Sequence, residues 1–270
     1  MATPSLQHVP ASVRQASAFR VLGVRVDAVQ IAGVVLQMED WIARRESCQY
    51  IAVTGMHGVT EAQHDARFKA VLNSAGLVVP DGMPLVWISR WLGFNLRRRV
   101  YGPELMASFC EQTAAKRYRH FFYGGAPGVA EELASRMVSR FPGVVVAGTY
   151  SPPFRVLTRE EDREVVAAIE AARADVVWVG LSTPKQERWM HEHRDKLNVP
   201  VLVGVGAAFD FHWARGASSV VDARAWVGVA VQAGERAEAA LAALFDQRLG
   251  VCLAGVAGIN GLAEIRVSFE

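Results

Sequence analysis

Gly76-Leu77-Val78-Val79-Pro80-Asp81-Gly82-Met83-Pro84 reads as a buried strand, a sharp turn and the start of a helix. Asp175-Val176-Val177-Trp178-Val179-Gly180, with Thr183-Pro184-Lys185-Gln186-Glu187 just beyond it, repeats the pattern farther along the chain. Asp81 in one case, and Lys185, Gln186 and Glu187 in the other, are thereby expected at the carboxyl ends of strands. Open α/β sheets bind ligands at that edge. A carboxylate and an amide there, near helix N-termini, suit the transfer of a group off a phosphate-bearing donor.

Working outward, short apolar runs alternate with helical segments. Helical periodicity is expected over Val29 to Arg44, Ala62 to Asn73, Glu104 to Lys116, Val129 to Arg140, Glu160 to Arg173 and Pro184 to Leu197. A further buried helix should open near Pro84, since proline suits a first helical turn. Strands are expected at Arg20 to Val24, Tyr50 to Thr54, Leu77 to Val79, His120 to Tyr123, Val144 to Gly148, Val176 to Val179 and Val201 to Val205. This alternation predicts an α/β fold, doubly wound and Rossmann-like, with a mostly parallel sheet and helices on both faces. Residues 1–19 read as a flexible leader, 20–216 as the α/β domain, and 217–270 as a C-terminal appendage with one helix over Glu235 to Leu249. Tyr150 to Thr158, with Pro152-Pro153, is the longest irregular loop of the domain, a lid or a half-domain boundary.

The chain has 270 residues, 51% hydrophobic and 21% charged, and a formal net charge of +2. That balance gives no global field that selects nucleic acid. Arg97, Arg98 and Arg99 are consecutive, with Arg90 upstream; they suit a solvated face, a phosphate or an anionic membrane surface. Cys48, Cys110 and Cys252 are far apart and form no Cys-x-x-Cys, so reduced structural thiols are expected. Residues 1–19 carry no apolar signal core, and no run reaches the roughly 18 apolar residues of a spanning helix. The expectation is a soluble or peripheral cytoplasmic protein that needs no cofactor and can be oligomeric.

Several residues carry candidate chemistry. Asp81 is either an ordinary turn aspartate bonding its own backbone or a general base taking a proton from a sugar hydroxyl. Thr54, at a strand end, either caps the next helix or holds a substrate oxygen. His57, in Gly55-Met56-His57-Gly58, is a proton shuttle, a ligand or a solvent-facing loop residue. His64 is near, but no carboxylate or thiol joins them at ligand spacing, and metal is set aside. Gly124 and Gly125, with Gly128, can bring backbone close to phosphate at a helix N-terminus. No acidic residue ends the next strand, which disfavours a dinucleotide fingerprint. Gly204-Val205-Gly206-Ala207-Ala208-Phe209 fails that fingerprint too, because Phe209 takes the place of the third glycine. Lys185 is unfavourable at a helix start unless an anion docks beside it. Asp210 is either a buried ion-pair acid or a ribose or base contact. The chain has no Asp-x-Asp, the pair with which many nucleotide-sugar transferases hold a divalent cation. A leaving diphosphate would then be neutralised by Arg, Lys and backbone N–H groups.

These motifs together resemble the WecG/TagA/CpsF glycosyltransferases. The carriers are Leu22-Gly23-Val24, Asn73 to Pro84, Arg99-Val100-Tyr101-Gly102, Phe122 to Gly125, Pro184 to Glu187, and Gly204 to Asp210. The resemblance implies an inverting, metal-independent enzyme. It would move an N-acetylmannosamine-type sugar or glucose from a UDP-sugar donor to an undecaprenyl-diphosphate-linked acceptor at the inner-membrane surface, in envelope or exopolysaccharide synthesis. It implies Asp81 as base, Thr54 as the threonine that ends the preceding strand, and Arg99 and Gln186 near the diphosphate or acceptor. His57, Gly124, Gly125, Lys185, Glu187, Gly206, Phe209 and Asp210 would bind substrate, Asp210 on the nucleoside. Two places depart from the family pattern. Met56 stands where many relatives have Asn, and Ala217 to Glu270 lacks their Trp- and Arg-rich tail. That tail reads as a divergent appendage or as the product of a changed reading frame. Other readings are a UDP-sugar-binding relative without catalysis and, below it, a nicotinamide-dependent oxidoreductase.

Overall fold

A computed structural model describes residues 17–206, 208, 209 and 263–265. A hairpin, β1 (Ala18–Val21) and β2 (Val24–Asp27), leads to α1 (Ile31–Arg44), β3 (Gln49–Thr54), α2 (Met56–His64), α3 (Ala66–Asn73) and β4 (Leu77–Pro80). Then come α4 (Met83–Trp91), α5 (Gly102–Thr113), β5 (Arg119–Gly124), α6 (Val129–Arg140) and β6 (Val145–Tyr150). The domain continues through α7 (Arg159–Ala172), β7 (Val176–Gly180), α8 (Lys185–His193) and β8 (Val201–Gly204), and β9 (Ala263–Ile265) follows much later. Six strands form one sheet in the order β4-β3-β8-β7-β5-β6, and every pairing in it is parallel.

A parallel sheet must be covered on both faces, and β7 shows how the sequence does it. Side chains alternate along a strand. Val177 and Val179 therefore join one core, with Phe68 and Leu72 of α3, Val165 and Ile169 of α7, and Trp189 and Met190 of α8. Val176 and Trp178 join the other, with Val34 and Met38 of α1, Phe109 of α5 and Leu133 and Met137 of α6. The Trp178 indole N–H donates to His120 Nδ1 at 3.0 Å, and burial holds that imidazole neutral, with its pKa down at about 4. The hairpin docks through Asp27, whose buried carboxylate accepts from Val78 N at 2.8 Å.

Neighbouring strands β5 and β7 send their following helices to opposite faces, α6 to one and α8 to the other. Such a point of divergence leaves a crevice at the carboxyl edge. The doubly wound, mostly parallel α/β architecture read from the sequence is therefore present.

Four local readings need correction. The single strand expected over Arg20 to Val24 is broken at Leu22-Gly23, the turn between β1 and β2, where both residues take positive φ (50° and 79°), as a two-residue hairpin loop requires. The stretch from Met56 is the first turn of a helix rather than a loop. The helix expected over Ala62 to Asn73 is split at Asp65, whose backbone turns extended and whose carboxylate caps Phe68 N at 2.9 Å. The helix expected to run from Pro184 to Leu197 is shorter, Lys185–His193. The loop after β6 follows the carboxyl edge, and Ser151 Oγ donates to Ala126 O at 3.2 Å. The helix expected over Glu235 to Leu249, Asp210, and most of the leader and appendage lie outside the described residues. Within the stretch read as an appendage, Ala263–Ile265 pairs in parallel with β1.

Candidate active site

The carboxyl ends of β4, β3, β8, β7, β5 and β6 lie side by side in that order. Adjacent strands are about 4.8 Å apart, so two steps from the β4 end reach the β8 end at roughly 10 Å. The residues singled out in the sequence fall into three groups along this edge.

The first group is centred on Asp81. β4 ends at Pro80, and the chain turns through Gly82 at φ 128° and ψ 145°, a conformation open essentially to glycine alone. Pro84 then sits in the first turn of α4, where its missing N–H costs nothing. Asp81 N donates to Thr54 O at 2.9 Å, fixing the turn to the end of β3. Arg99 returns to the same place: Val100 N donates to Pro80 O at 2.8 Å, and Arg99 Nη1 lies 3.8 Å from Asp81 Oδ1. The Arg99 guanidinium also stacks 4.3 Å from the centroid of Tyr101. The Asp81 side chain keeps 29% of its surface, so it opens onto the edge. The protein around it still removes enough water to push its pKa up to about 6, with Arg99 pulling it down by less.

The second group is centred on Glu187. Its side chain is wholly buried, and Oε1 accepts from Thr183 Oγ1 at 2.8 Å and from Gln186 Nε2 at 3.0 Å. Oε2 has no protein partner. Burial raises the Glu187 pKa, against the two hydrogen bonds and the charge of the exposed His57 on α2. The Gln186 carbonyl oxygen accepts from Gly206 N at 2.9 Å, tying α8 to the loop after β8. Gln186 is 1% exposed, so its amide faces inward, whereas Lys185 is exposed. Thr54 sits beside this group, buried and with Oγ1 unpartnered. A methyl group at Gly58 would come 2.1 Å from Thr54 Oγ1 and 3.6 Å from Thr183 Cγ2, so only glycine lets α2 lie this close.

Glu187→Gln should preserve both bonds at Oε1 and keep or raise the melting temperature at neutral pH. Glu187→Ala strands the Thr183 and Gln186 donors and should cost about 1–3 kcal/mol or more. Thermal melts of the two variants separate these outcomes.

The third group lies at the β5–β7 crevice. Gly125 N donates to Gly180 O at 3.2 Å, and a Cβ on Gly124 would meet the Gly180 carbonyl oxygen at 2.4 Å. Phe209 is 1% exposed; its ring packs over Gly180 and Gly125 and meets Phe122 edge-on at 6.4 Å. Among the described residues no three His, Cys, Asp or Glu side chains gather as a metal site.

The structure thus brings Asp81 and Arg99 together, places Gln186, Glu187, His57 and Gly206 in a second cluster, and sets Thr54 between them, its carbonyl on Asp81 N and its buried side chain toward the second cluster. Gly124, Gly125 and Phe209 stand farther along the edge. Sequence reasoning missed Gly55, Gly58, Thr183 and Gly180. A Cβ on Gly55 would lie 2.4 Å from Asp81 O. The signal for Gly55 and Gly58 was present as two small residues directly after a strand-ending threonine.

The pattern that defines the glycosyl transferase WecG/TagA/CpsF family matches residues 19–227. Among curated relatives, a protein of Bacillus spizizenii (strain ATCC 23059 / NRRL B-14472 / W23) is 37% identical over 150 residues, 56% of each chain. One of Bacillus subtilis (strain 168) is 31% identical over 147 residues, 54% of this chain and 55% of the relative. One of Staphylococcus aureus (strain MRSA252) is 26% identical over 192 residues, 70% of this chain and 73% of the relative. All three are named N-acetylglucosaminyldiphosphoundecaprenol N-acetyl-beta-D-mannosaminyltransferase. The chain spans a little over half the length of the two Bacillus relatives. With the family pattern covering most of its length, this chain belongs to the glycosyl transferase WecG/TagA/CpsF family.

Proposed function

We propose that this protein transfers a hexose, N-acetylmannosamine-type or glucose, from a UDP-sugar to an undecaprenyl-diphosphate-linked sugar, with inversion and without a metal. The observation that carries the reading is Asp81: a carboxyl at the carboxyl edge of the sheet, open to it, with a pKa of about 6 and an arginine alongside. A base poised near neutrality is worth about 10²–10⁴ in rate.

In this mechanism the Asp81 carboxylate takes the proton of the acceptor hydroxyl. The freed oxygen pair forms the new bond to the anomeric carbon. The bond from that carbon to the diphosphate oxygen breaks on the opposite face, and its electron pair leaves on UDP. Arg99 meets the charge growing on the diphosphate. Thr54 acts through its backbone, its carbonyl oxygen holding the Asp81 turn in place. Gln186 and Glu187 act by holding the loop at Gly206, and Lys185, exposed at the start of α8, adds positive charge. The Gly124–Gly125 turn, Phe209 and Asp210 serve the nucleoside side, and His57 the rim. The protein works at the inner face of the membrane, where a prenyl acceptor is found; no helix among the described residues is long and apolar enough to cross it.

The test is a donor screen with UDP-N-acetylmannosamine, UDP-glucose and related donors, a short prenyl-diphosphate-N-acetylglucosamine acceptor, and EDTA present. One donor should give UDP release matched by glycosylated product. UDP binding without product would instead favour a relative that has lost catalysis, and binding of NAD in place of UDP would sink the reading.

A further inference from the structure

Residues 82–103, between Asp81 and the first turn of α5, contain four arginines and no acidic residue. The same segment exposes two tryptophans on α4, Trp87 at 43% and Trp91 at 55%. They stand four residues apart, and so on one helical face, with the exposed Arg90 next to them. Arg90 is also a staple: its Nε donates to Leu96 O at 2.7 Å and its Nη2 to Arg97 O at 2.8 Å. Gln30 holds the loop from its other side, donating to Arg98 O at 2.8 Å. Arg97 and Arg98 are therefore presented from a pinned loop beside the tryptophan face, with Arg98 at 77% exposure and in an exposed ion pair with one acid, Glu104, at 3.5 Å.

We propose that this face, the α4 tryptophans with Arg90, Arg97 and Arg98, is where the protein docks on an anionic lipid bilayer. Tryptophan rings settle at the headgroup level of a membrane, and arginines beside them pair with acidic lipid phosphates. The patch is continuous with the active site, since α4 begins two residues after Asp81 and Arg99 ends the basic loop at Asp81 itself. Docking there sets the carboxyl edge near the surface from which a lipid-linked acceptor emerges, and this part of the inference rests on the proposed function. A second copy of the chain is a poorer occupant. A two-fold contact sets a patch against itself, which would bring arginines onto arginines.

Flotation of the full chain with vesicles tests this. Wild type should float with phosphatidylglycerol-containing vesicles, fail to float with pure phosphatidylcholine, and be released by high salt. Arg97→Ala combined with Arg98→Ala should weaken anionic binding by roughly 30-fold, at one Boltzmann step per arginine near the surface. Trp87→Ala should weaken it independently of charge. Both variants should keep wild-type turnover on a short-chain, water-soluble acceptor. Undiminished flotation of both variants overturns the proposal, as does a wild type that ignores anionic vesicles. A monomer–dimer shift on Trp87→Ala, seen by light scattering with flotation unchanged, assigns the face to a second copy and also overturns it. Wild type that floats yet never glycosylates the soluble acceptor defeats the transferase reading alone, because flotation needs no turnover.

Discussion

Asp81→Asn should lose about 10²–10⁴ in kcat while the protein becomes more stable at neutral pH. The two effects have one origin. The folded-state pKa of Asp81 is about 6, above its ordinary 3.8, because burial disfavours the charged form. The native state therefore binds more protons than the unfolded state between those values, and stability falls as pH rises through that window. Above pH 6 the full cost is present, and below about 4 it is gone. Asparagine carries no charge to desolvate. It should recover about 1–3 kcal/mol at pH 7, or several degrees of melting temperature, and nothing at pH 4. UDP binding should survive. A melting temperature lowered at pH 7, or turnover within a few-fold of wild type, would remove Asp81 from the role of base.

Arg99→Ala should cost about 10²–10³ in kcat, the scale of one donor aimed at developing charge. It should also move the base. Arg99 is the influence that lowers the Asp81 pKa against burial, so its removal lets that pKa climb beyond about 6. The acid limb of the kcat/KM profile should shift to higher pH in Arg99→Ala. Arg99→Lys keeps a positive charge and should shift the limb less, while losing the planar stacking on Tyr101. An Arg99→Ala enzyme with reduced kcat and an unmoved limb would mean that the guanidinium does not act on Asp81.

The sheet was legible because buried parallel strands are short apolar runs, and because glycine and proline punctuate the sequence where strands end. The place of Asp81, directly after β4, was legible for the same reason. The Gly55-Met56-His57-Gly58 stretch misled, since glycines suggest a loop. What they provide is room: Gly58 lets α2 press against Thr54, and tertiary packing outweighs weak helix propensity. The break at Asp65 carried a signal, an aspartate directly before an apolar helical repeat, but periodicity on both sides hid it. The inward turn of Gln186 had no sequence signal. Its direction depends on how α8 is rotated by the Ser182–Pro184 turn and on a backbone N–H, at Gly206, supplied by another strand's loop. The exposed face of α4 was hidden too, because Leu85 to Trp91 reads as strongly apolar and only packing shows which residues remain outside.

The pH dependence of kcat/KM, measured on wild type and on the residual activity of Asp81→Asn, bears on the whole account at once. Wild type should lose activity on the acid side with an apparent pKa near 6, and that limb should be absent from the variant. A wild-type profile flat from pH 4.5 to 8, or a limb that persists unchanged without the carboxylate, would contradict it.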